Sequence, residues 1–178
     1  MNDNNTHLLI DGSTPATAAD VESHLTSLGI AYQTITHPAM LTVEDSRKYR
    51  GDVPGGYSKN LFLRNKKGRM WLVTLREDRV VDLRRLGDAI GAGRVSFASP
   101  ERLMSYLGVI PGAVTPMAVI NDNTGMVTAV MDQGLMQEST VHFHPCRNTM
   151  TTSLTPAGLL DFMGSLDHDP EMITPDQF

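Results

Sequence analysis

The sequence carries a single cysteine, Cys146, among 178 residues. An intrachain disulfide is therefore impossible, and a zinc site built from several thiolates is excluded. No apolar run approaches the roughly 20 residues that a membrane-crossing helix needs. Internal repeats, heptads and low-complexity tracts are lacking too. The first residues (MNDNNTHLLIDGS) have no basic stretch followed by an apolar one, so a secretory leader is not expected and a reduced, cytoplasmic setting is. Basic residues are missing from both ends: every Lys and Arg lies between Arg47 and Arg147.

What is present is ordinary for a globular chain, with 40% hydrophobic and 20% charged residues. The length suits one domain, able to bury about two thirds of the surface of its unfolded form. The net charge of −5 argues against a nucleic-acid partner, but the charge is uneven. Residues 47–102 hold fourteen basic and six acidic side chains, whereas Asp3, Asp11, Asp167, Asp169, Glu171 and Asp176 lie in the terminal segments. Binding to phosphates follows the local field, because charges beyond about 8 Å are screened at physiological salt. Charge alone favours a solvated basic face with acidic tails and permits a polyanion partner without showing one.

The pattern predicts a polar, flexible segment over residues 1–13, one folded domain over 14–166 and an acidic tail over 167–178. Thr14-Pro15 reads as a helix start, with Val21, Leu25 and Leu28 at helical spacing and Gly29 as the stop. Residues 30–36 read as a strand and 42–50 as a short helix capped by Thr42 and Asp45. After the loop GDVPGGYS, residues 59–64 and 69–75 form a hairpin across Asn65-Lys66-Lys67-Gly68. Helices follow over 83–90 and from Ser99-Pro100 to Gly108. The loop VIPGAVTP feeds an apolar strand over 117–120, then strands over 126–131 and 140–144. Thr155-Pro156 opens a last helix. Hairpins alternating with helices point to an α+β fold with a mixed sheet flanked by helices.

Three places could carry chemistry. His142, His144 and Cys146 alternate along a strand and in principle share a face for a metal. Pro145 breaks that pleat, no further ligand stands at motif spacing although His37 could arrive through the fold, and the pair reads more simply as one buried and one exposed histidine. The Gly51–Ser58 loop superficially suggests a phosphate loop, but Lys59 is followed by Asn60 and by a strand instead of a helix. The third place is the mouth of the apolar strand Leu61-Phe62-Leu63. Lys59 and Asn60 stand there beside one glycine-rich loop, and a second Pro/Gly loop spans 108–116. Such loops expose backbone N–H groups, donors suited to a carbonyl or an oxyanion. From these residues alone, Lys59 is as readily a solvated lysine as part of an ester-hydrolysing site.

Three stretches, GGYSKNLFLRNKKGRMWLVTL (55–75), LGVIPGAVTPMAVIND (107–122) and VHFHPCRNTMTTSL (141–154), together resemble the YbaK/prolyl-tRNA synthetase-associated editing domain family. Within it they are most similar to the free-standing branch that deacylates alanyl-tRNA(Pro). The likeness runs from about Pro15 to Leu166 and implies a mixed, strongly curved, barrel-like sheet in a single editing domain. It implies an aminoacyl-ester hydrolase that uses no metal, no cofactor and no cysteine nucleophile. Lys59 matches the family's essential lysine, Asn60 its polar neighbour, Gly112–Pro116 the GxxxP loop that faces the scissile ester, and His144 the histidine lining the aminoacyl pocket. Phe62, Thr115, Pro116, Met117 and Phe143 are expected to bound that pocket with His144. The implied partners are the acceptor stem of mischarged tRNA(Pro) and, secondarily, prolyl-tRNA synthetase. Arg47, Lys48, Arg50, Lys66, Lys67, Arg69, Arg79, Arg84 and Arg85 are the expected tRNA contacts. Two alternatives stand beside this reading: a sister enzyme with another preference, such as Cys-tRNA(Pro), and a non-catalytic nucleic-acid-binding module of the same fold.

Overall fold

The computed structural model describes residues 7–40 and 42–178. Helix α1 (Ala18–Ser27) starts at Thr17, three residues beyond the expected Thr14, because Thr17 and Asp20 cap each other reciprocally: each side chain accepts the other's backbone N–H. Strand β1 (Tyr32–Thr36) and helix α2 (Val43–Arg50) follow, α2 with the same reciprocal cap between Thr42 and Asp45. Then come β2 (Gly56–Asn65), β3 (Met70–Arg76), α3 (Leu83–Ala89), β4 (Val95–Phe97) and α4 (Pro100–Leu107). The second half holds β5 (Val127–Asp132), β6 (Val141–Phe143), β7 (Met150–Leu154), α5 (Pro156–Gly164) and β8 (Glu171–Ile173).

The strands form one eight-stranded mixed sheet in the order β1-β7-β6-β2-β3-β5-β8, with β4 added against β2. β3/β5, β5/β8 and β2/β6 are parallel; the other pairs are antiparallel. Alternation along the strands separates two cores. Phe62 and Leu72 face a core shared with Leu25 of α1, Leu107 of α4 and Phe162 of α5. Leu63, Trp71 and Val73 face the opposite core with Leu86 of α3 and Phe178. Among the described residues no helix is long and apolar enough to cross a membrane.

The mixed sheet with flanking helices is the architecture the pattern called for, and four details correct it. Residues 117–120, expected as a strand, lie in a 3-10 helix, Pro116–Asn121. Its start is marked by Pro116 at the first position and by the Thr115 hydroxyl accepting the Met117 N–H. The strand expected over 140–144 ends at Phe143, after which the chain turns and Cys146 adopts a left-handed φ of 58°. The expected acidic tail supplies β8, parallel to β5, and buries Phe178. Of the expected flexible segment 1–13, residues 1–6 lie outside the described residues. Leu9 is buried and its N–H bonds to Ser13 O.

Candidate active site

The site is built around an interruption in the pairing of β2. One edge of the strand pairs with β3 from Ser58 to Arg64. Its other edge meets β6 only at Gly56 and Tyr57, and β4 only from Leu63 to Asn65. The Phe62 carbonyl is taken by the Ala98 N–H. Residues 58–61 therefore have β3 alone as a strand partner, and Lys59 and Asn60 stand in that gap.

A cleft of about 260 Å³ opens at the gap. Lys59, Asn60, Gly112, Val114, Phe143, His144 and Thr151 line it, with Met40, Arg50, Tyr57 and Glu77 among the other wall residues. Gly112 has a φ of +87°, which favours glycine and turns the loop's peptide planes. The Ala113 N–H bonds to Ile110 O, while among the described residues no partner takes the N–H of Gly112 or Val114. Asn60 Nδ2 donates to Ser58 Oγ, but Asn60 Oδ1 is buried without a partner, as is Oγ1 of Thr74 directly across the β2/β3 pair. An unpaired buried acceptor costs about 1–3 kcal/mol, a cost that a donor on a bound molecule would remove.

Electrostatics set the protonation states. Burial lowers the Lys59 pKa, with Asp78 and Glu77 opposing, and its ammonium donates to the Arg79 carbonyl. Burial likewise lowers His144, partly offset by the Met150 carbonyl and reinforced by His37. His144 Nδ1 lies 2.7 Å from Met150 O, so that nitrogen carries the hydrogen and Nε2 is left as an acceptor. His142 is lowered by burial too, and its ring bridges Ser153 Oγ at 2.8 Å and Pro54 O at 3.0 Å. The Tyr57 ring is sandwiched, with the Arg50 guanidinium 3.5 Å above its centre and the His142 ring stacked at 4.6 Å. Burial acts to raise Glu77, but Arg50 and Arg47 outweigh it and keep the carboxylate ionised. Burial pushes the Cys146 thiol up to about 12, which leaves it protonated and unreactive. Among the described residues no group of three or more His, Cys, Asp or Glu is placed to hold a metal ion.

The expected residues divide into two sets. Lys59, Asn60, Gly112, Phe143 and His144 come together on the cleft. Phe62, Thr115, Pro116 and Met117 do not line it: they are buried in or beside the core, where the side-chain alternation of β2 and the 3-10 helix point them. Thr151, Met40, Tyr57 and Glu77 line the cleft unanticipated; the sequence signal for Thr151 was its place in the NTMTTSL strand, opposite β1. The basic residues form no single patch. Arg47 and Arg50 pair with Glu77, and Arg79 pairs at 2.8 Å with the fully buried Asp132. Lys48, Lys66, Lys67, Arg69, Arg84 and Arg85 are exposed, Arg85 donating to the Asp176 carbonyl. Lys66 and Lys67 occupy the β2–β3 turn, about 20 Å along the strand from Lys59.

This fold and cleft belong to a known class: the chain is a member of the aminoacyl-tRNA editing domain family, which it matches over residues 37–162. It is 36% identical over 159 residues to prolyl-tRNA synthetase associated domain-containing protein 1 of Danio rerio, covering 88% of this chain and 86% of that protein. It is 40% identical over 136 residues to the prolyl-tRNA editing protein ProX of Acetoanaerobium sticklandii, covering 76% of this chain and 83% of that one. A solved structure described as a candidate trans-editing enzyme for prolyl tRNA synthetase shares the fold, with a TM-score of 0.70 and 22% identity over 91% of this chain and 98% of that one.

Proposed function

We propose that this protein is a trans-editing hydrolase that deacylates tRNA(Pro) mischarged with alanine. The observation that carries the reading is the convergence of Lys59, Asn60, Gly112 and His144 on one cleft, in a member of the editing family that is 40% identical to ProX. A synthetic site shaped for proline cannot exclude a smaller amino acid sterically, since each missing methylene is worth only about 1–3 kcal/mol. A second, tighter pocket that hydrolyses what fits solves the problem. Here Met40, Val114 and Phe143 give the cleft apolar walls suited to a methyl group.

In this mechanism water attacks the carbonyl carbon of the ester, and the carbon–oxygen bond to the terminal ribose breaks with its electron pair leaving on the ribose oxygen, which takes up a proton. The unengaged N–H groups of Gly112 and Val114 receive the developing oxyanion. Lys59 supplies positive charge beside them. Asn60 Oδ1 accepts a hydroxyl of the terminal ribose, gaining its missing donor. Glu77, the one carboxylate in the wall among the described residues, is held by Arg50 and Arg47 and serves structure; the likeness to the editing family suggests the vicinal ribose hydroxyl as the group that helps activate water.

The test is a deacylation panel of Ala-, Ser-, Cys- and Pro-tRNA(Pro) at substoichiometric protein. Turnover of the alanyl substrate with the prolyl one spared supports the reading. Preferred turnover of Cys-tRNA(Pro) replaces it with the sister preference, and tight tRNA binding without turnover of any member reduces the protein to a binding module.

A further inference from the structure

We infer that Thr151 and His144 form a receptor for the α-ammonium of the bound aminoacyl group, and that buried His37, outside the cleft, positions it by fixing which way the Thr151 hydroxyl points. The inference rests on the proposed aminoacyl-ester substrate and adds what selects an amino acid over other acyl groups. His37 is 5% exposed and anchored by its own N–H to Thr149 O. Its Nδ1 lies 2.8 Å from the Pro38 carbonyl, which can only accept, so Nδ1 carries the hydrogen. In the neutral ring Nε2 is then a lone pair, and it lies 2.8 Å from Thr151 Oγ1. That contact is made only if the threonine hydroxyl donates to His37. The hydroxyl hydrogen is thereby used behind the cleft wall, and Oγ1 is left to accept from the cleft.

The neighbouring histidine obeys the same logic. His144 gives its Nδ1 hydrogen to Met150 O and keeps the Nε2 lone pair. The two rings lie 5.9 Å apart; the Pro38 carbonyl sets the polarity of His37 and the Met150 carbonyl that of His144, and Met150 and Thr151 are consecutive on β7. The outcome is a pair of acceptors, one nitrogen and one oxygen, on the same wall. An ammonium, with three hydrogens and no lone pair, matches such a pair; an α-hydroxyl offers one hydrogen and no charge. His37 acts only through Thr151 and is a positioning residue.

The test uses two non-hydrolysable amide analogues of the tRNA terminus, an alanyl and a lactyl amide of adenosine, which differ only in bearing an α-ammonium or an α-hydroxyl. Their affinities are measured by calorimetry on the full chain. The wild type should prefer the alanyl analogue. Thr151→Val and His37→Phe should each reduce that preference by roughly tenfold, the size of a hydrogen bond to a charged group. Thr151→Ser and His37→Gln, which restore the hydroxyl and an acceptor respectively, should recover it. A merely structural role would lower both affinities together and leave their ratio alone. Imidazole nitrogen NMR of the wild type supplies a second reading that needs no variant to fold: His37 must show its hydrogen on Nδ1. An unchanged ratio in Thr151→Val and His37→Phe, or a hydrogen on Nε2, overturns the inference. A wild type that discriminates the analogues yet hydrolyses no aminoacyl-tRNA overturns the proposed activity and leaves the receptor standing.

Discussion

The two ends of the β2–β3 hairpin carry similar charge and use it in opposite ways. At the cleft end, Arg47 and Arg50 are neutralised by Glu77, Arg76 by Asp78 and Glu138, and Arg79 by Asp132. At the turn end, Lys66, Lys67 and Arg69 are exposed and make no ion pair among the described residues. Paired guanidiniums build walls, whereas unpaired ammoniums attract a polyanion. The local excess of positive charge in the sequence is thus much weaker at the cleft than a count suggests, and Lys59 is the unusual cation there, half-buried and without an ion pair among the described residues.

The largest effect expected from this contrast is at Lys59. Lys59→Ala should lower kcat/KM for alanyl-tRNA(Pro) deacylation by at least about a hundredfold with the circular dichroism spectrum unchanged; full activity would refute its role. Next is the wall itself. Arg50→Ala leaves Glu77, whose side chain is only 14% exposed, with the more distant Arg47 alone, and should reduce stability in urea unfolding by about 1–3 kcal/mol. Glu77→Gln leaves the Arg50 guanidinium, 16% exposed, without its carboxylate and should cost a similar amount. At the other end, Lys66→Ala with Lys67→Ala should spare both stability and cleavage of a minimal aminoacyl-adenosine ester. If the turn meets RNA, the double variant weakens tRNA binding and lowers the log–log salt slope by about 1 per lysine.

Acid should act through the histidines on the cleft. His142 and His144 have folded-state pKa values below the ordinary histidine value of about 6.5. The unfolded chain therefore binds protons first, and stability is full above that value and declines as pH falls from it toward the lowered folded values. Thermal melts from pH 7.5 to 5 measure this, and His144→Asn should flatten the decline. The smallest effect is at Cys146, whose buried, protonated thiol should leave activity unaltered by alkylating reagents at pH 8.

Much of the fold was legible because its signals are local. The Thr42/Asp45 cap, Ser99-Pro100, Thr155-Pro156 and the Asn65–Gly68 turn fix element ends by short-range hydrogen bonding, and the structure uses each of them. The misreadings share a different cause. Met117–Ile120 is buried on nearly every side, so it has no period to distinguish a strand from a 3-10 helix, and only the Thr115-Pro116 start gave the answer. Strand β8 is exposed along most of its short length and exists because β5 offers an edge, a fact of topology alone. At the site, Lys59, Gly112 and His144 were found through motif likeness. Phe62 and Met117 were placed on the cavity because proximity in sequence to a site residue was taken for proximity in space, and the two-residue alternation of β2 sends Phe62 into the core instead. The sequence offers His37 only as a metal ligand arriving through the fold and does not point to Thr151, because their contact joins β7 to the turn after β1.

The gap in the pairing of β2 has a lasting consequence. The β2/β3 ladder runs unbroken through residues 58–61 and fixes the spacing of that edge, so substitutions elsewhere around the cleft leave Lys59 and Asn60 where they stand. Met40 and Phe143 line the same cleft from other elements and can be exchanged without touching that ladder. An engineer seeking a different acyl preference should therefore leave Lys59, Asn60 and the 112–114 loop alone and exchange Met40 and Phe143.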